Sequence, residues 1–93
     1  MPISVILPQA LRPYARGQGD LVLSGNCATI SEALAEIGAQ CPGVLDGVMT
    51  EVGDMRPHVN IFVGDDNIRF GDGLDTRLAD GDTILIVPAV SGG

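Results

Sequence analysis

Ile3, Val5 and Leu7 alternate with Ser4, Ile6 and Pro8, a period of two that predicts a β-strand with one strongly apolar face, closed at Pro8. The stretch from Gln9 to Gly19, with Arg12-Pro13 and Gly17-Gln18-Gly19, reads as a loop, and Leu21-Val22-Leu23 as a short second strand ending at Ser24-Gly25-Asn26. Adjacency predicts that the two strands pair antiparallel. Thr29-Ile30-Ser31-Glu32 has the form of a capping box, in which the Thr29 hydroxyl accepts from the Glu32 amide and Glu32 reaches back to the Thr29 amide. Behind it Ile30, Ala33, Leu34, Ile37 and Cys41 fall on one helical stripe, with Glu32, Glu36 and Gln40 off it, until Pro42-Gly43 stops the helix.

From Gly43 to Pro57 the periodicity weakens. Val44, Leu45 and Val48 fit one helical turn, whereas Gly47 and Gly53 point to a loosely structured connector, and the conformation stays open. Val59, Ile61 and Val63 alternate with Asn60 and Phe62 in a third strand, and Gly64-Asp65-Asp66-Asn67 supplies a turn into Ile68-Arg69-Phe70, which predicts a second hairpin. Leu74 to Leu78, a turn at Asp80-Gly81-Asp82 and the β-branched run Thr83 to Val87 complete a ββαβββ order. One main helix against a mixed sheet of four to five strands is an α+β sandwich of the β-grasp type. Two layers cover only one face of the sheet. Yet Leu85 and Val87 oppose Ile84 and Ile86 on the last strand, and Phe62 opposes the Val59, Ile61 and Val63 face. Phe62, Leu85 and Val87 are therefore expected to form a partner-docking face, with partial cover by loops as the other possibility.

Composition narrows the function classes. A 93-residue chain has room for one core, which divides as a β-grasp domain over 1–88 and a flexible Gly-Gly tail over 89–93. Twelve acids against five arginines and no lysine give a net charge of −7, which excludes nucleic acid and anionic membranes as expected partners. The start lacks a basic n-region and no apolar run approaches membrane-spanning length, so the expected compartment is the cytoplasm. Cys27 and Cys41 flank the helix, whose ends lie roughly 18 Å apart at about 1.5 Å per residue, so both are expected as reduced thiols.

Side-chain chemistry is thin. His58 stands alone beside Pro57, Ser31 is a first-turn helix residue and Ser91 a tail residue, so no serine has an identifiable base. Amide dipoles at the helix start could lower the Cys27 thiol pKa, although a buried, inert cysteine is the commoner occurrence. Asp65, Asp66, Asp72, Asp75, Asp80 and Asp82 lack the spacing of a calcium loop and are explained by turns; Gly71-x-Gly73 is no phosphate cradle. No metal and no bound cofactor is expected. What remains is the end, Pro88-Ala89-Val90-Ser91-Gly92-Gly93, a side-chain-poor tail that leaves an apolar strand and can thread into another protein's active site. The carboxylate of Gly93 is the candidate reactive group.

Asp80-Gly81-Asp82, the strand Thr83-Ile84-Leu85-Ile86-Val87 and the Gly-Gly end resemble the turn, last strand and tail of the ubiquitin-like sulfur carriers of the MoaD/ThiS superfamily. Val59 to Val63, Ile68 to Phe70 and Gly73 to Thr76 extend the likeness over nearly the whole chain. That resemblance implies a protein co-substrate rather than an enzyme. An E1-like adenylyltransferase/sulfurtransferase would consume ATP to adenylate Gly93, and a sulfur donor would displace AMP to leave a thiocarboxylate. Val90, Ser91 and Gly92 would thread into partner active sites. Ala10-Leu11-Arg12-Pro13, Gly17-Gln18 and Pro88-Ala89-Val90 are most similar to the cysteine-biosynthesis branch, whose partners are a PLP-dependent cysteine synthase and a metallopeptidase. Molybdopterin synthase, with its large subunit as partner, is the alternative, disfavoured by Ile86-Val87 and a single Pro88 where that branch often has Phe and two prolines. An isopeptide-forming protein modifier is the alternative of another class, and the absence of lysine disfavours chain building on this protein.

Overall fold

The computed structural model describes residues 2–24 and 27–88. The first strand, β1 (Ile3–Ile6), pairs antiparallel with β2 (Asp20–Leu23), placing Ile3 opposite Leu23 and Ile6 opposite Asp20. Helix α1 (Ile30–Gln40) then crosses the sheet. After a second helix, α2 (Pro42–Val48), come β3 (Val59–Val63), the two-residue β4 (Asp66–Asn67) and β5 (Thr83–Pro88). The sheet order is β2-β1-β5-β3-β4, with β5 parallel to β1 and antiparallel to β3. The strand that comes last in sequence is thus central in space, as the expected mixed β-grasp sheet requires.

Helix α1 follows its sequence pattern closely. Ile30, Ala33, Leu34 and Ile37 are buried against the sheet, and the Thr29 hydroxyl accepts from the Glu32 amide at 3.3 Å. The reciprocal half of the box differs from expectation, because the Glu32 carboxylate accepts from the Ala28 amide at 3.1 Å rather than from Thr29. Thr29 forms an antiparallel bridge to Arg77 instead, with the Ile30 amide donating to the Thr76 carbonyl and the Leu78 amide to the Ala28 carbonyl. The segment before β5 thereby ties down the start of α1.

Three stretches depart from the sequence expectation. Gln9–Ala15 is a 3-10 helix rather than a loop. Pro13 fixes a φ compatible with that helix, Ala15 drops into the core, and Arg16 and Gly17 at positive φ end it. Pro42-Gly43 ends α1 and at once begins α2, since proline at a first helical position forfeits an amide that has no intrahelical partner anyway. Gly47 is a packing surface and not a sign of looseness. A Cβ at Gly43 would lie 2.6 Å from Cδ1 of Tyr14, and one at Gly47 would lie 2.4 Å from Cδ2 of Leu11. These two glycines, one turn apart, let the 3-10 helix seat against α2.

Ile68–Phe70 is also a 3-10 turn and not a strand, so the second hairpin stops after the pairs Phe62 with Asn67 and Val63 with Asp66. Gly64, at φ 60°, makes the tight connection. The Asn67 side-chain oxygen accepts from the Arg69 amide at 2.9 Å, which diverts the backbone and drives Ile68 into the core. Every residue buried among those described is apolar, including Val5, Leu7, Ile61, Ile84 and Ile86.

Replacing Gly43 with Ala discriminates between local and tertiary control. Helix propensity alone predicts a gain of about 1 kcal/mol, while overpacking against Tyr14 costs about 1–3 kcal/mol. The expected outcome is a net loss of about 1 kcal/mol, read as a lower urea midpoint with an unchanged slope.

Candidate functional site

Strand β5 sorts its side chains to two environments. Ile84 and Ile86 point into the core, whereas Leu85 is 36% exposed on the opposite face and Val87 is half-buried. The register extends that outer face across the sheet. Asp20 sits opposite Ile6, Ile6 opposite Leu85, Leu85 opposite Phe62, and Phe62 opposite Asn67, which forms one row from edge to edge. Neighbouring rows hold Val22, Ser4 and Thr83 on one side and Val87 with Asn60 on the other. Phe62, Leu85 and Val87 therefore share one face, as parity predicts. Ile6 (41% exposed) and Val22 (58%) join them, and sequence reasoning did not name either as a site residue. The signal was present, because both occupy the off-core parity of their strands; only the register brings them beside Leu85.

Pro88, the last described residue of β5, pairs with Val59 where the strand leaves the sheet. A small apolar cleft of about 170 Å³ opens at this exit, lined by Pro8, Ala10, Leu11, His58, Ile86 and Pro88. His58 is exposed there. Val90, Ser91, Gly92 and Gly93 lie outside the described residues.

Away from this face the polar groups do structural work. The Glu36 carboxylate on α1 accepts from the Ser24 amide and the Ser24 hydroxyl, both at 2.8 Å, fastening the end of β2 to the helix. These bonds, with others from Cys27 and Gln40, hold its pKa below the ordinary value of 4.5. Cys27 is buried, and its thiol pKa is raised above 9.0, first by burial and then by the nearby Glu36 charge. This reverses the dipole-activated alternative for Cys27, because desolvation and a facing carboxylate outweigh the helix start. Both cysteines are free. Asp82 accepts from the Ala79 amide at 2.8 Å in the turn before β5. Among the described residues no group of three His, Cys, Asp or Glu side chains could hold a metal ion. No helix of the described chain is long and apolar enough to cross a membrane.

An antiparallel hairpin, a crossing helix and a last strand inserted parallel to the first define a ubiquitin-like β-grasp protein with one uncovered, partly apolar sheet face. The model of the ThiS family matches residues 5–93. The chain is 37% identical over 95 residues to the sulfur carrier protein CysO of Mycobacterium tuberculosis, covering all of both chains. It is 36% identical over 66 residues, 71% of each chain, to small archaeal modifier protein 3 of Haloferax volcanii. Among solved structures, M. tuberculosis CysO superposes with a TM-score of 0.85 at 34% identity, covering 95% of this chain and 99% of that one. A chain of the Amycolatopsis orientalis BexX/CysO complex superposes with a TM-score of 0.86 at 30% identity, covering 98% and 99%. The chain belongs to the ThiS family, and is a sulfur carrier of that ubiquitin-like kind.

Glu36 gives a signed pH prediction. Its folded pKa is depressed, so its contribution is present above about 4.5 and is lost as pH falls through the lower folded value. Glu36→Gln should lower the melting temperature at pH 7 and reduce the further loss of stability on acidification; parallel melting curves of variant and wild type across pH would refute this. Burial and the raised pKa also predict that iodoacetamide at pH 8 modifies the half-buried Cys41 well before Cys27, as read by peptide mass.

Proposed function

We propose that this chain carries sulfur as a thiocarboxylate on Gly93 and delivers it for cysteine synthesis. The observation that carries this proposal is the end-to-end likeness, at 37% identity, to a protein named as the sulfur carrier CysO. The fold supports it physically. Five residues follow Pro88, so Gly93 can reach roughly 16 Å from the central strand at about 3.3 Å per residue. The last three of them, Ser91, Gly92 and Gly93, are all small enough for a narrow channel.

In the proposed chemistry the Gly93 carboxylate attacks the α-phosphate of ATP within an activating enzyme and expels pyrophosphate. A sulfide-level donor then attacks the acyl carbon and expels AMP, leaving the thiocarboxylate. Activation is needed because a carboxylate resists nucleophiles, whereas the mixed anhydride has a good leaving group. The thiocarboxylate is anionic and polarizable at neutral pH, which suits it to attack an acceptor held in line inside a second enzyme. For the cysteine branch that enzyme is a PLP-dependent synthase, the carrier leaves with cysteine on its C-terminus, and a metallopeptidase releases it. The row Ile6, Leu85 and Phe62, with Val87 beside it, would dock the partner and aim the tail.

The likeness to small archaeal modifier protein 3 favours a second reading, in which the activated Gly93 forms isopeptide bonds to lysines of other proteins. With no lysine of its own the chain could make single attachments but no side-chain-linked polymers of itself.

Intact mass of the protein recovered from its own cells under reductant-controlled conditions separates these readings. A sulfur-for-oxygen increment localised to Gly93, or an added cysteine there, is the expected result; lysine conjugates without either would favour the modifier. Deleting Gly93 should abolish sulfur loading by ATP, activating enzyme and sulfur donor. Phe62→Asp should raise the carrier KM of the activating enzyme about tenfold while the circular dichroism spectrum is retained. Loss of folding in that variant would show Phe62 to be core.

A further inference from the structure

Phe70 is the most exposed large hydrophobic residue of the described chain, with 87% of its surface open to water. Its backbone is nonetheless held from several sides. Ile68 anchors the turn in the core, the Asn67 side chain accepts from the Arg69 amide, and the Arg69 guanidinium folds back to donate to the carbonyls of Arg56 and Val59. A phenyl ring displayed on a pinned turn loses hydrophobic free energy that folding could otherwise recover, which points to a partner.

The ring borders a cleft of about 610 Å³ whose walls include Phe62, Asp65, Asp66, Phe70, Asp72 and Thr76. Phe62 belongs to both this cleft and the apolar row with Leu85 and Ile6, so the two surfaces are continuous. Three carboxylates thus stand around two aromatic rings. Among the described residues no guanidinium pairs with Asp65, Asp66 or Asp72, and that of Arg69, on the same turn, donates to the backbone carbonyls of Arg56 and Val59.

We propose that this cleft docks a segment of a partner protein that presents an arginine beside an apolar side chain. The apolar side chain would rest on Phe62 and the adjoining row. The guanidinium would lie against Phe70 with its N–H groups donating to Asp66 and Asp72. Arginine fits better than lysine because its planar, weakly hydrated head stacks on an aromatic face and offers forked donors to carboxylates, while an ammonium keeps its water. The net charge of −7 would speed the encounter with such a cationic segment. This assignment goes beyond the sulfur chemistry and does not depend on which reaction the tail undergoes.

The test is a two-dimensional amide NMR titration of the full chain with the peptide acetyl-Leu-Arg-Leu-amide and its lysine and citrulline counterparts. Saturable shifts are expected over residues 62–76 and at Leu85 for the arginine peptide, with affinity at least about threefold lower for lysine and no saturable shifts with citrulline. D66N/D72N and Phe70→Ala, each with wild-type spectral dispersion, should weaken the arginine peptide about tenfold. Shifts scattered over all acidic surfaces, equal binding of lysine and arginine peptides, or no shifts with the arginine peptide would overturn the proposal. Because the titration involves no sulfur loading, its outcome is separable from that of the carrier chemistry.

Discussion

The pairing of β5 on both sides holds this molecule together. Strand β1 meets it in parallel and β3 meets it antiparallel, so the two halves of the sheet join only through the segment that is last in the chain. Its inward residues Ile84 and Ile86 sit beneath the helical layer, and its backbone is satisfied along both edges. Long-range pairing of this kind carries a loop-closure cost that local contacts do not. In exchange, the strand that ends at Pro88 lies in the interior of the sheet and not at a fraying edge.

A single helical layer leaves the other sheet face to solvent, and that asymmetry underlies the molecule's surface chemistry. Ile6, Leu85 and Phe62 form one row because the registers of three strand pairs coincide there, with Val22 and Val87 in adjacent rows. The chain as a whole carries a net charge of −7, which works against self-association through this partly apolar face. Polar groups such as Glu36, Asp82 and Arg69 are occupied in fastening strand ends and turns.

Much of the fold was legible in sequence because its signals were local. The period of two in β1 and β3, the helical stripe behind Thr29 and the turn at Asp80-Gly81-Asp82 each reflect a residue's own neighbours. The misreadings fall where close packing against a distant residue, or a side-chain bond to the backbone, overrides the hydrophobic pattern. Gly43 and Gly47 look like breaks in a weak pattern, yet they are the places where Tyr14 and Leu11 pack most closely. Ile68 looks like strand, but the Asn67 side chain turns the backbone so that burial of Ile68 wins over further pairing with β3.

For the site the boundary is similar. The apolar outer parity of Phe62, Leu85 and Val87, the glycine-rich end, the acidic charge and the lack of lysine are properties of the linear chain, and alternation alone separates the outer face from the core. Tertiary structure decided that Ile6 and Val22 join that face, that the Cys27 thiol is suppressed by burial and Glu36, and that Phe70 stands free beside Asp66 and Asp72. The physical reason is that periodicity assigns a side chain to one face of its own element, whereas neighbours across strands, desolvation and the fit of a glycine depend on atoms far away in sequence.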